Sequence, residues 1–159
     1  RASTVFEVAC EPAVADLHGI LKFASPNRER DIISSAVLAG VLAYIREPSK
    51  SSLADAMGSR SPVGERQTVS ALRMRRFMSA SDPDEVMLQF RRVLAMLDHK
   101  ANVFDVARQV LHWLDASEAG TRARARFAFA YHGQAVAAPD DETGPERQES
   151  DLPEPDRTR

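Results

Sequence analysis

The run from Val86 to Leu97 constrains the fold most. Val86, Met87, Phe90, Val93, Leu94 and Leu97 recur at i, i+3, i+4, i+7 spacing, which puts them on one side of an α-helix. Ser81-Asp82-Pro83-Asp84-Glu85 just before them supplies a capping side chain, a proline at the first helical position and acids for the first turn. A helix with one apolar side needs other elements to cover that side. The preceding stretch from Ser59 supplies one: Glu65 to Met78 reads as a helix anchored by Val69, Leu72 and Phe77.

The rest of the chain offers similar partners. Glu11-Pro12-Ala13 opens a helix with Val14, Leu17, Ile20 and Leu21 on its apolar side, and Ser25-Pro26-Asn27 breaks it. The next helix, about Arg28 to Arg46, is the most apolar and is expected at the centre of the core. Its stripe of Ile33, Val37, Gly40, Val41 and Tyr44 is widened by Ile32, Leu38, Leu42 and Ile45. Gly40 lowers helix propensity there, which close approach of a neighbouring helix would explain. Leu53 to Met57, capped by Ser52, makes a short helix. Val103, Val106, Ala107, Val110, Leu111 and Leu114 follow an Asn102 cap, with Trp113 beside their stripe. Glu118-Ala119-Gly120-Thr121 interrupts the pattern before a last helix from Thr121 to about His132, which Gly133 ends. Arg1 to Glu7 gives little signal, and no strand is convincing. The expectation is an all-α fold, a compact helical bundle of about six helices over residues 1–138 with no sheet before Gly133.

Charge divides the chain. From Pro139 onward, Arg147, Arg157 and Arg159 face eight acids (Asp140, Asp141, Glu142, Glu146, Glu149, Asp151, Glu154, Asp156), a balance of 3 − 8 = −5. With totals of 21 basic and 23 acidic residues, the remainder is 18 − 15 = +3. Residues 139–159 are proline-rich and poor in apolar side chains, so a disordered acidic tail is expected. The mildly basic body suits an anionic partner. Its arginines cluster outside the apolar stripes. Arg66, Arg73 and Arg76 recur on one helix, Arg91 and Arg92 point away from the core side of the next, and Arg122 and Arg126 stand one turn apart in the last. A guanidinium is always charged and forked, which matches phosphate oxygens. For any single arginine a solvated helix face is the commoner explanation, and the clustering is what favours nucleic acid.

Other chemistry is missing. There is no Walker-type lysine loop, G-x-S-x-G elbow or H-E-x-x-H. His18, His99, His112 and His132 are scattered, and His112 with Asp115 forms at most a weak ligand pair. No enzyme, no metal and no cofactor are expected. Cys10 is the single cysteine, which excludes an internal disulfide framework and fits a reducing cytoplasm. No apolar run is long enough to span a membrane. The chain starts at Arg1 without a methionine, so a missing or processed native N-terminus is expected. Ser52 to Gly58 followed by Glu65 to Met78 also suggests a helix-turn-helix regulator. The intervening turn, with Pro62, is too long for that motif, so the bundle is preferred.

The order of motifs resembles the CasB family, the small subunit of the type I-E CRISPR surveillance complex, Cascade. The carrying segments are SLADAM at 52–57, GERQTVSALR at 64–73, DEVMLQFRRVL at 84–94, DVARQVLHWL at 105–114 and TRARARFAFAY at 121–131, within a likeness that spans Ala13 to His132. The resemblance implies an all-helical, non-catalytic subunit of an antiviral defence complex. It also implies that two copies lie head to tail beside the backbone and large subunits, near guide RNA and target DNA. Basic residues then hold the target-strand hybrid and displaced strand of the R-loop by backbone contact. It carries Arg66, Arg73, Arg91 and Arg92 over as nucleic-acid contacts, and places Arg122, Arg124 and Arg126 in a basic last helix. On this resemblance the helix that precedes the family's L-R-R-A segment is expected to be missing, with Arg1-Ala2 as its remnant, and the acidic tail is not a general feature of the family.

Overall fold

A computed structural model of the protein describes residues 4–22, 28–60 and 67–133. Among them are eight helices: α1 (Val5–Ala9), α2 (Pro12–Leu21), α3 (Arg28–Leu42), α4 (Leu53–Gly58), α5 (Ala71–Ser79), α6 (Pro83–Met96), α7 (Val103–Leu114) and α8 (Glu118–Tyr131). The Ser25-Pro26-Asn27 break, Pro62, Arg66 and the acidic tail from Pro139 lie outside the described residues.

The helix starts follow local chemistry. Asp82 caps α6 by accepting from the Glu85 amide, and Pro83 occupies its first turn. Ser52 and Asn102 cap α4 and α7 in the same way. Two starts differ from expectation. Thr4 and Glu7 form a reciprocal capping box that opens α1, a helix too short to show a periodic pattern. Ser117, not Thr121, caps α8, which therefore begins at Glu118 and runs through Gly120. A side chain at Gly120 would strike the Asp115 carbonyl, so glycine permits the sharp α7–α8 corner.

Helix α3 is central, packed against α1, α2, α6 and α7. It ends at Leu42, short of Arg46, and the chain after it turns into a two-residue strand. Gly40 sits where α6 crosses: a Cβ there would lie 2.5 Å from the Met87 sulfur and 2.9 Å from an Arg91 nitrogen. His18 of α2 stands 3.0 Å from the hydroxyl of buried Ser35 on α3, and the Val5 amide of α1 donates to Asp84 of α6 at 2.6 Å.

The core is aromatic at its middle. Phe77 of α5 lies 4.8 Å from Phe90 of α6, 4.8 Å from Trp113 of α7 and 5.6 Å from Phe127 of α8, centroid to centroid. The Trp113 indole N–H donates to the Phe77 carbonyl at 3.3 Å, which satisfies the one polar atom of that cluster. Around it pack Val37 and Val41 of α3, Leu53 and Met57 of α4, and Val86, Met87, Val93 and Leu94 of α6.

Several positions depart from the periodic reading. Leu72 is 56% exposed, while Met74 and Phe77 are the buried residues of α5. The apolar stripe failed there because α5 starts at Ala71, leaving buried Val69 on the approach to the helix instead of on its face. Ile20, Ile32 and Val103 are also exposed. A short sheet exists where none was expected: Glu47 and Pro48 pair in parallel with Lys100 and Ala101. It forms because the turn after α6, with Asp98 and His99 at positive φ, brings the chain beside the segment that leaves α3. Pairing over two residues leaves no period to read.

The contrast on α5 is measurable. Phe77→Ala should destabilise the fold by about 3–5 kcal/mol, whereas Leu72→Ala should change it by no more than about 0.5 kcal/mol. Chemical denaturation of the two variants checks both.

Candidate nucleic-acid interface

Helix α5 is the most one-sided basic element. Only Met74 and Phe77 are buried, and Arg73, Arg75 and Arg76 are all exposed. No carboxylate among the described residues pairs with any of the three. The buried aromatic Phe77 fixes the helix from below, so the arginines stand on a rigid support. Arg75 belongs to this group although helical spacing from Arg66 omits it. The short register of α5, with just two inward positions, is the signal that would have included it.

Helix α6 splits its pair. Arg92 is exposed, with no carboxylate partner among the described residues. Arg91 does not point away from the core side as expected. It is half-buried, donates from Nε to the Gly40 carbonyl at 2.9 Å, and lays its guanidinium 4.9 Å from the centre of the Tyr44 ring. The absent side chain of Gly40 makes the room for it.

Helix α8 also divides its arginines. Arg122 forms an exposed i, i+4 pair with Glu118 at 2.6 Å, an interaction of little energetic weight that a phosphate can displace. Arg124 is half-buried and donates to the Trp113 carbonyl at 3.2 Å, so it fastens α8 to the end of α7. Arg126 reaches a cleft of about 410 Å³ that also exposes Arg108 and His112 of α7 above Phe127 and Ala130. Arg108, unremarked in the sequence, pairs with Asp105 at 2.7 Å. That carboxylate is buried and also accepts from the Leu53 amide at the start of α4 and from the Gln109 side chain, so its charge is well matched.

His112 reports the field of this cleft. Partial burial pushes its pKa below the ordinary 6.5, and the Arg108 and Arg126 charges push it the same way against the weaker pull of Asp115 and Asp105. Asp115 is engaged elsewhere: Ser117 N–H and O–H donors and the Arg30 guanidinium hold its carboxyl below the usual range. The His112–Asp115 ligand pair is therefore not assembled, and no cluster of three metal-capable side chains occurs among the described residues.

The turn that a helix-turn-helix would need takes in residues 61–66, which lie outside the described residues. On either side of them Gln67 is bridged to Arg60 and the Val69 amide is bonded to the Met57 carbonyl, which ties the approach to α5 back to α4. Helix α4 packs on α8. Among the described residues no helix is long and apolar enough to cross a membrane.

A family model for CRISPR-associated protein Cse2 matches residues 1–132. The chain belongs to the Cse2 family. This is the CasB small-subunit family of type I-E Cascade, and the match takes in Arg1 to Pro12 as well as the segments that carry the resemblance. It stops short of the acidic tail. No curated protein and no solved structure matches significantly.

A Cse2 protein with this cleft should show His112 titrating below 6.5, read by NMR. Since the unfolded state then binds the proton more readily, stability is complete above the unfolded value and falls as pH drops through it. Unfolding compared at about pH 7 and about pH 5.5 should show that loss in the parent and a smaller loss in His112→Gln.

Proposed function

We propose that this Cse2 chain is a non-catalytic subunit that binds nucleic-acid backbone without sequence preference and steadies the R-loop of Cascade. The family match over residues 1–132 carries the reading. Arginines exposed on α5, α6 and α8 support it, because forked cations on rigid helices suit phosphate oxygens at any base sequence. The role falls to the helical domain, residues 1–138, in the cytoplasm. Its partners are the backbone and large subunits, a second copy of itself, guide RNA and target DNA. Arg73, Arg75, Arg76, Arg92, Arg122 and Arg126 are assigned direct phosphate contact, and Arg66 joins them through its place in the family motif. Arg91 and Arg124 contribute positive potential from positions fixed by their carbonyl bonds.

Salt titration of single-stranded DNA binding tests the assignment. Affinity should be weak, nearly equal for unrelated sequences and steeply salt-dependent. Replacing Arg73, Arg75 and Arg76 together by alanine should reduce the log–log slope by about 0.7 for each lost phosphate contact and leave the helical spectrum unchanged. An unaltered slope would assign α5 to a protein interface. Strong preference for one duplex sequence would favour a regulator.

A further inference from the structure

One flank of α6 carries a feature that backbone contact does not use. Leu88, Arg91, Arg92 and Ala95 follow i, i+3, i+4, i+7 spacing, beside the row of core residues Met87, Phe90 and Leu94. With Tyr44 they line an open groove of about 400 Å³. That lies at the small end of the range for small-molecule sites, roughly 300–1,000 Å³, which leaves room for one nucleotide and none for a duplex.

The groove is preset for a flat, π-rich group. The Nε bond to Gly40 at 2.9 Å and the Tyr44 ring 4.9 Å beneath it hold the Arg91 guanidinium in place. Guanidinium planes and tyrosine rings are the surfaces on which unpaired bases stack, and stacking needs no particular base. Leu88 and Ala95 supply apolar walls. Arg92 stands at the rim as an exposed cation. Asp84, the acid of the groove, is bound to the Val5 amide at 2.6 Å, so a phosphate is steered towards Arg92 and away from it.

We propose that this groove takes one unpaired nucleotide of a single strand, its base against the Arg91–Tyr44 pair and its phosphate on Arg92. The inference rests on the nucleic-acid reading above and adds a base-dependent contact to it. A protein segment with acidic side chains is the competing occupant. The combination of a preset guanidinium plane with an aromatic ring favours the base.

The test uses the full chain at low salt with two single strands of equal length, one intact and one abasic at its centre. The intact strand should bind more tightly by about five- to a hundredfold. A strand carrying 5-iodouracil should photocrosslink to Tyr44 in the unmodified protein. Tyr44→Leu should abolish the preference, Tyr44→Phe should keep it, and Arg92→Ala should weaken both strands alike. The crosslink and the strand comparison on the parent protein decide the matter even if Tyr44→Leu fails to fold. Equal affinity for both strands, with crosslinks elsewhere, overturns the inference and leaves the backbone reading standing. Absence of binding to either strand overturns both. Displacement of the strand by an acidic peptide that itself crosslinks at Tyr44 overturns it in favour of a protein partner.

Discussion

The contact of Phe77 with Phe90, Trp113 and Phe127 is what the rest of the molecule depends on. Each ring comes from a different helix, so a single cluster fixes α5, α6, α7 and α8 to one another. Rings of this size bury large apolar areas, and their offset and edge-on arrangements add specificity to that burial. The cluster also explains how a helix as short as α5 can hold three arginines in solvent. Two inward residues would be a slender anchor in isolation, but one of them is the hub of the core.

Two groups stand out among the cations of the described residues. Arg30, Arg91 and Arg124 close gaps between helices: Arg30 of α3 donates to the Leu114 carbonyl at the end of α7, Arg91 spans α6 and Gly40, and Arg124 spans α8 and Trp113. Arg73, Arg75, Arg76 and Arg92 take no part in that work and face solvent. The buried carboxylate of Asp105 plays the matching part for the acids, since it receives the first amide of α4 and two side chains of α7. Fixed charges inside the packing hold the helices, and the exposed ones remain available to a polyanion.

Much of this was legible in the sequence. The caps at Ser52, Asp82 and Asn102, the burial of Val86, Met87, Phe90, Val93 and Leu94, and the close crossing at Gly40 each have a local cause, and each is present. The family was legible too, because its motifs lie in order along the chain. The misses have causes that no periodic pattern contains. The capping box of α1 acts over a single turn, and the β pairing of Glu47 with Lys100 joins residues brought together by the tertiary fold. The roles of Arg91 and Arg124 depend on carbonyls of other helices, so composition could not separate them from Arg92 and Arg122.

On the proposed function, the helical body serves Cascade by holding nucleic acid without reading it. The most direct measurement is the lifetime of R-loops in Cascade assembled without its small subunit, followed by chemical footprinting of the displaced strand as this chain is added. The account predicts that the chain joins the complex and lengthens the lifetime on unrelated targets alike, and that a form lacking the exposed arginines joins it without doing so. Incorporation with no change in lifetime would contradict the account and leave the chain a scaffold.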